Sequence, residues 1–294
     1  MAARESCLET ELTTHSELSR MSLRRLWLFL ALSLLVSWII WLAPFERPGS
    51  IYIVVFGKRF DSSFFFIKLL LGNCIPGMLA ICFALSEGKH QFLQLLSTLV
   101  RWRVPLKWYL LAFVLPLGIF WVSLGVVSLY IPAPHLLPSL TRVILYAVLA
   151  FPLGPLWGEL AWRAYALRKL QTRYSQLTSS VMLGLYWAVW LIPLWLTTRG
   201  ASSTRVQELA AAITTILAWS IICTSLYNRS GQSLPVVILL EAVQVASADE
   251  IFARVQDGRL LFIWLSAALT VLIAAGLARR MVNDSSLGHV RPSG

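Results

Sequence analysis

The stretch MSLRRLWLFLALSLLVSWIIWLAP, residues 21–44, decides the fold class. After Arg24 and Arg25 it runs apolar for about 19 residues, enough to cross a bilayer's hydrocarbon core as a helix. It is too long for a signal-peptide core, and no small-x-small cleavage site follows it. We read it as a first spanning helix over residues 26–44. Similar runs recur along the chain. They predict helices over 64–85, 107–131, 141–166, 177–197, 207–227, 234–248 and 260–278. Composition agrees: 57% of the 294 residues are hydrophobic, 13% are charged, and the mean hydropathy is +0.71. In hydrocarbon every backbone polar group must be satisfied internally, which favours helices. The alternating pattern of an outer-membrane barrel is absent. The expected fold class is all-α: a polytopic transmembrane bundle of about eight helices.

The polar stretches divide the chain. Residues 1–25 read as a polar N-terminal tail, within which Met21 is a second candidate start. Residues 26–139 hold the first transmembrane helices, 140–248 a core region, and 249–294 the last helix and a polar C-terminal tail. Residues 89–105, KHQFLQLLSTLVRWRVP, are amphipathic with basic ends and are expected along the interface. Tryptophan, 13 residues in all, often falls near segment ends, as interfacial anchors do.

The net charge of +11 has a membrane explanation. Lysine and arginine sit mostly in short loops, and with eight helices the segments on the N-terminal side carry about twice as many as those opposite. This places both termini in the cytoplasm and argues against nucleic acid as a partner. Short loops and small tails favour a bacterial inner membrane. Cys7, Cys74, Cys82 and Cys223 show no metal or disulfide spacing and read as small buried hydrophobes.

A charge at the bilayer centre costs about 2.5–3.5 kcal/mol on insertion scales, so each intramembrane ion is a functional candidate. Glu159, Arg163 and Glu241 stand out; Lys68 is close enough to a helix end to snorkel. Glu159 and Arg163 are four residues apart on one helix face and can pair. Glu241 lies on another helix, and if the two helices touch, two carboxylates can share one arginine. Such a site suits acid–base chemistry, and equally a structural salt bridge that staples helices together. His15, His90, His135 and His289 all fall in predicted tails or loops. The chain has no HExxH, GxSxG or phosphate-cradling glycine loop, no Ser/His pair within the membrane and no pair of intramembrane aspartates. No metal site and no cofactor are implied.

Three stretches carry a family resemblance. GELAWRAYALRKLQ (158–171) resembles the first motif, EExxxR, of the CPBP family of CAAX-protease and bacteriocin-processing (Abi) membrane proteins. GLYWAVWLIPLWL (184–196) is similar to its second motif, commonly WALWHLPLF. NRSGQSLPVVILLEAVQ (228–244) is similar to its third, commonly TGGSLWPAILLHAxxN. The order and spacing agree, over residues 140–248. The resemblance implies an intramembrane endopeptidase in which a first-motif glutamate activates water. Histidines of the second and third motifs assist, with a polar residue four positions beyond the last. Prenylated CAAX-type peptides are among the family's substrates. At the corresponding positions this chain has Gly158, Leu191, Glu241 and Val245, while Glu159 and Arg163 match the second glutamate and the arginine. Glycine, leucine and valine side chains neither transfer protons nor donate hydrogen bonds.

Three readings follow. The first is a catalytically degenerate member, a pseudoenzyme, that binds membrane lipid, a membrane-embedded or prenylated peptide, or a membrane protein. The second is an active endopeptidase with a rewired Glu159/Glu241 site assisted by Arg163. The third is a transporter, since buried ions also line ion paths; no inverted repeat or paired broken helices support it.

Overall fold

The computed structural model describes residues 23–43, 53–55, 58–60, 63–131, 139–198, 205–252, 255 and 258–288. Among the described residues ten helices carry the fold. They are α1 (Leu23–Leu42), α2 (Ser63–Ser86), α3 (Lys89–Leu99), α4 (Leu106–Tyr130) and α5 (Leu140–Ala150). Then come α6 (Pro155–Leu170), α7 (Gln176–Thr198), α8 (Arg205–Arg229), α9 (Leu234–Phe252) and α10 (Arg259–Gly288). A small antiparallel hairpin, Ile53–Val55 with Lys58–Phe60, precedes α2 and was not foreseen. The molecule is an all-α polytopic helix bundle.

Six helices (α1, α2, α4, α7, α8 and α10) are long and apolar enough to cross a membrane among the described residues. Their outer faces are apolar and exposed, as at Leu35 and Ile39 of α1 and Leu110, Val114 and Val122 of α4. In a soluble protein that surface would aggregate; here it faces acyl chains. Prolines 76, 116 and 193 sit inside three of these helices, a placement that membrane packing tolerates.

Two elements depart from the sequence reading. The single helix expected over 141–166 is broken, with α5 and α6 meeting at 56°. The cause is the run FPLGP: Pro152 and Pro155 lack an N–H and disfavour helix in the residue before them. Pro155 then serves as the first residue of α6. The second departure is the end of α9, expected at 248 but reached at Phe252; the helix carries Glu241, Asp249 and Glu250 and lies at the centre of the bundle. It packs against α4, α5, α6 and α8, and Val236, Val237, Leu240, Val243 and Ala246 on it are buried. Its 19 residues span roughly 28 Å, close to the hydrocarbon thickness.

Two smaller expectations also need correction. His90 lies in the first turn of α3, exposed, because the amphipathic segment containing it is itself helical. Cys223 is buried, but Cys74 is half-buried and Cys82 exposed, each on a helix turned partly outward. His15, His135, His289 and Cys7 lie outside the described residues.

Successive spans run antiparallel, so each end of the bundle can be recognised by its contacts. At one end Glu87 accepts hydrogen bonds from Tyr165 and Lys169, both at 2.8 Å, and Arg101 donates to the Gly231 carbonyl at 2.7 Å. The start of α1 and the end of α10 belong to this end. At the other end Ser139 N–H donates to Glu250 at 3.2 Å, and Arg259 lies 3.5 Å from Glu208. Close helix approach uses small residues. A Cβ at Gly77 of α2 would fall 2.8 Å from the Trp157 carbonyl oxygen, so only glycine lets α2 lie against α6 there.

Candidate functional site

The site forms where α6, α7 and α9 meet. The first part of α6 is α-helical to Glu159, and Leu160–Leu167 is a π-helix, in which N–H groups bond five residues back. π-Helical turns are rare and concentrate at functional sites. This one contains the whole of LAWRAYAL, all of it buried.

Glu159 and Arg163 pair across one turn: Arg163 Nη1 donates to Glu159 Oε1 at 2.8 Å, and both side chains are fully buried. The Arg163 guanidinium also lies over the Trp187 ring, 5.3 Å from its centroid. Glu241 comes from α9 and places its carboxyl group in hydrogen-bonding contact with that of Glu159. Thus the three predicted ions do converge, Arg163 on Glu159 and Glu159 on Glu241. Their satisfaction is incomplete: Glu159 Oε2, Glu241 Oε2 and Arg163 Nε and Nη2 are buried without a hydrogen-bond partner.

Beside this cluster lies a cavity of about 420 Å³, within the range of small-molecule sites. Gly158, Leu191, Glu241 and Val245 all line it, whereas Glu159 and Arg163 do not. The tryptophans of three helices form much of its wall: Trp162, Trp187, Trp190 and Trp219. They are held by an aromatic layer, Trp162 against Tyr186 at 5.2 Å and Trp190 at 5.5 Å, and Trp190 against Trp41 of α1 at 4.7 Å. A Cβ added at Gly158 would stand 3.4 Å from Trp162 Nε1 and 3.9 Å from Glu241 Oε1, in ordinary contact.

Sequence reasoning missed other polar residues of the wall, Asn73, Gln244 and Asp249 among them. Asn73 had a signal, an amide inside the apolar run LLLGNCIPG. Gln244 had another: it precedes by one residue the position where a polar group was sought.

Residues 140–247 match the family model described as "Type II CAAX prenyl endopeptidase Rce1-like". This match supports a CPBP-family membrane protein. A curated relative agrees: "CAAX prenyl protease 2" of Methanococcus maripaludis is 43% identical over 42 residues. That stretch is 14% of this chain and 16% of the relative, so the chain spans about one sixth of the length of the curated relative it matches. Within this CPBP core the three motifs supply the walls of one cavity.

Proposed function

We propose that this integral membrane protein is a catalytically degenerate CPBP protein that binds an apolar, membrane-embedded ligand, a peptide segment or a lipid chain, in the intramembrane cavity. One observation carries the reading: Gly158, Leu191 and Val245 line the same cavity, at positions where the family has polar groups. A proteolytic site needs a base, a placed water and stabilisation of the oxyanion. These three residues supply none of them, and their replacement makes the cavity more lipophilic. Tryptophan walls suit chains and rings without demanding hydrogen bonds. The basic end of the bundle, which holds the start of α1 and the end of α10, supports cytoplasmic termini. A bacterial inner membrane is the proposed setting.

The test is cleavage of a prenylated CAAX-type peptide and a transmembrane-peptide library by the protein in lipid nanodiscs. The expected result is no cleavage above that of Glu159→Met/Arg163→Met, the double change that leaves no buried charge unpaired, together with retention of an apolar ligand by both proteins. A second variant set rebuilds the family's site with Gly158→Glu, Leu191→His, Glu241→His and Val245→Asn. Because these positions surround one space, the rebuilt protein is expected to fold.

One observation favours the rewired protease as a second reading. Glu241 faces the cavity and touches Glu159, which gives an acid pair one of whose members reaches substrate. On that reading Glu241→Ala abolishes cleavage that the wild type performs. Cleavage insensitive to both glutamate changes would exclude it.

A further inference from the structure

The cavity has a direction. It begins beside Glu241 and Trp162 and reaches Glu208 in the first turn of α8, Phe252 at the end of α9 and Ile263 near the start of α10. These last three lie at the end of the bundle opposite the basic one, where Ser139 donates to Glu250 and Arg259 lies against Glu208. Along α8, from Trp219 to Glu208, the wall runs for roughly 16 Å.

The charged side chains of that wall are of one sign. Glu208, Glu241 and Asp249 line it, and among the described residues that line it there is no lysine, arginine or histidine. Asn73 and Gln244 add amides, and Thr215 and Ser266 add hydroxyls. The remainder is apolar, with Phe120 and Phe252 joining the four tryptophans. Contacts tie two of the carboxylates to the far end. Asp249 and Phe252 are three residues apart on one side of α9. The Arg259 guanidinium lies 5.3 Å from the centre of the Phe252 ring, and its Nε lies 3.5 Å from Glu208. Arg259 itself is not part of the wall, yet it shows a cation settled against two residues that are.

The charge of a fitting ligand follows. A carboxylate or phosphate brought into this wall meets carboxylates and no base, and a low dielectric magnifies that repulsion. A cation meets acceptors for charge-assisted hydrogen bonds and ring faces that attract ammonium groups, tryptophan most of all. Its charged head belongs near the bundle's end, since a charge at the middle of the bilayer costs the most. We infer that the cavity takes a lipophilic amine, its ammonium group held at the Glu208 and Asp249 end and its chain lying along Trp219, Trp187 and Leu191 toward Gly158. This inference rests on the reading of the cavity as a site for an apolar ligand, and names the ligand's charge.

The test uses the full chain in phosphatidylcholine nanodiscs and three probes that share one chain: dodecylamine, dodecanol and dodecanoate. At neutral pH the alkylamine is protonated, as lysine is. Tritiated probe is counted by scintillation proximity, with empty nanodiscs subtracting partition into lipid, and folding is followed by circular dichroism. Dodecylamine is expected to bind saturably and about tenfold or more tighter than dodecanol, as a charge-assisted hydrogen bond allows, and dodecanoate more weakly than either. Asp249→Asn should weaken the amine about tenfold and leave dodecanol within about twofold, while Asp249→Glu keeps most of the amine's affinity. Glu250→Gln, at the same end but not in the wall, should change amine binding less than about twofold. Equal loss in Glu250→Gln and Asp249→Asn would overturn the site in favour of the general field of that end. Dodecanol binding as tightly as dodecylamine would overturn the inference and leave the apolar-ligand reading standing. Saturable binding by none of the three would remove that reading, and the inference with it.

Discussion

Removing one member of the buried ion pair should cost far more than removing both. Glu159→Met leaves the Arg163 guanidinium in a fully buried site, deprived of its 2.8 Å partner while Nε and Nη2 already lack one. Uncompensated buried charges cost about 3–5 kcal/mol. Arg163→Met leaves two carboxyl groups in contact with no cation beside them, and it also forfeits the stacking on Trp187, worth up to about 2 kcal/mol when desolvated. Its cost should fall in the same range. Glu159→Met/Arg163→Met replaces both by apolar side chains of similar reach, an exchange that is often neutral. What remains is the loss of Glu241's partner, about 1 kcal/mol for one hydrogen bond.

Because the pair lies on one helix, it persists in part in a helical denatured state. There water reaches both ions and the pair is worth only about 0.2–0.5 kcal/mol, so most of the coupling survives the subtraction. The assay is equilibrium unfolding in mixed micelles titrated with dodecyl sulfate, followed by tryptophan fluorescence, for wild type, both singles and the double. The double should be more stable than either single, with a coupling of about 3 kcal/mol or more. Additive costs, or singles within about 1 kcal/mol of wild type, would refute the buried strut and with it the burial of Arg163.

Three further outcomes follow from the same geometry. Glu241→Gln should cost less than about 1 kcal/mol, because its amide supplies the donor that two carboxylates lack, whereas Glu241→Leu should cost about 1–3 kcal/mol by orphaning Glu159; unfolding titrations that rank them the other way would show that the two groups do not touch. Gly77→Ala should destabilise by about 1–3 kcal/mol, since its Cβ meets a backbone carbonyl at 2.8 Å, while Gly118→Ala, with open space around it, should be neutral or slightly stabilising. Comparable effects at the two glycines would mean that α2 and α6 are not closely packed. Lys169→Met should destabilise less than Glu87→Leu, which strands both Tyr165 and Lys169, each bound to Glu87 at 2.8 Å; the reverse order in thermal unfolding would dismiss Glu87 as the hub.

The membrane fold was legible because hydrocarbon leaves the backbone few options, so long apolar runs convert almost directly into helices. Legibility failed where two local signals competed. In AVLAFPLGPLWGELAWRAY the apolar content argued for one span, and the prolines for a break; hydropathy averages over a window and cannot see a hinge four residues long. It failed again at the π-helix, since no residue in LAWRAYAL marks where a helix will take up an extra residue per turn. The centrality of α9 was equally hidden. Carboxylates such as Glu241 and Asp249 lower its apparent fitness to span, and only the packing of α4, α5, α6 and α8 around it shows that lipid is not its solvent.

The same helix explains why the first motif could be found but not divided into roles. Residues 158 and 159 are neighbours in sequence yet about 100° apart around a helix. One of them had to face the cavity and the other the packed core. Gly158 faces the cavity, and the retained Glu159 turns inward to Arg163. Glu159 and Arg163 therefore form a strut behind the wall, tying α6 to α7 through Trp187 and to α9 through Glu241. A strut of this kind is needed whether or not the cavity performs chemistry, because breaking it leaves charges in a fully buried site. The wall positions carry no such penalty, and a glycine, a leucine or a valine there costs the fold nothing. That asymmetry separates Glu159 and Arg163, which are bound into the fold, from Gly158, Leu191 and Val245, which line the cavity. It also makes Glu241 the residue to watch, as the carboxylate that, with Trp187, belongs to both the strut and the cavity.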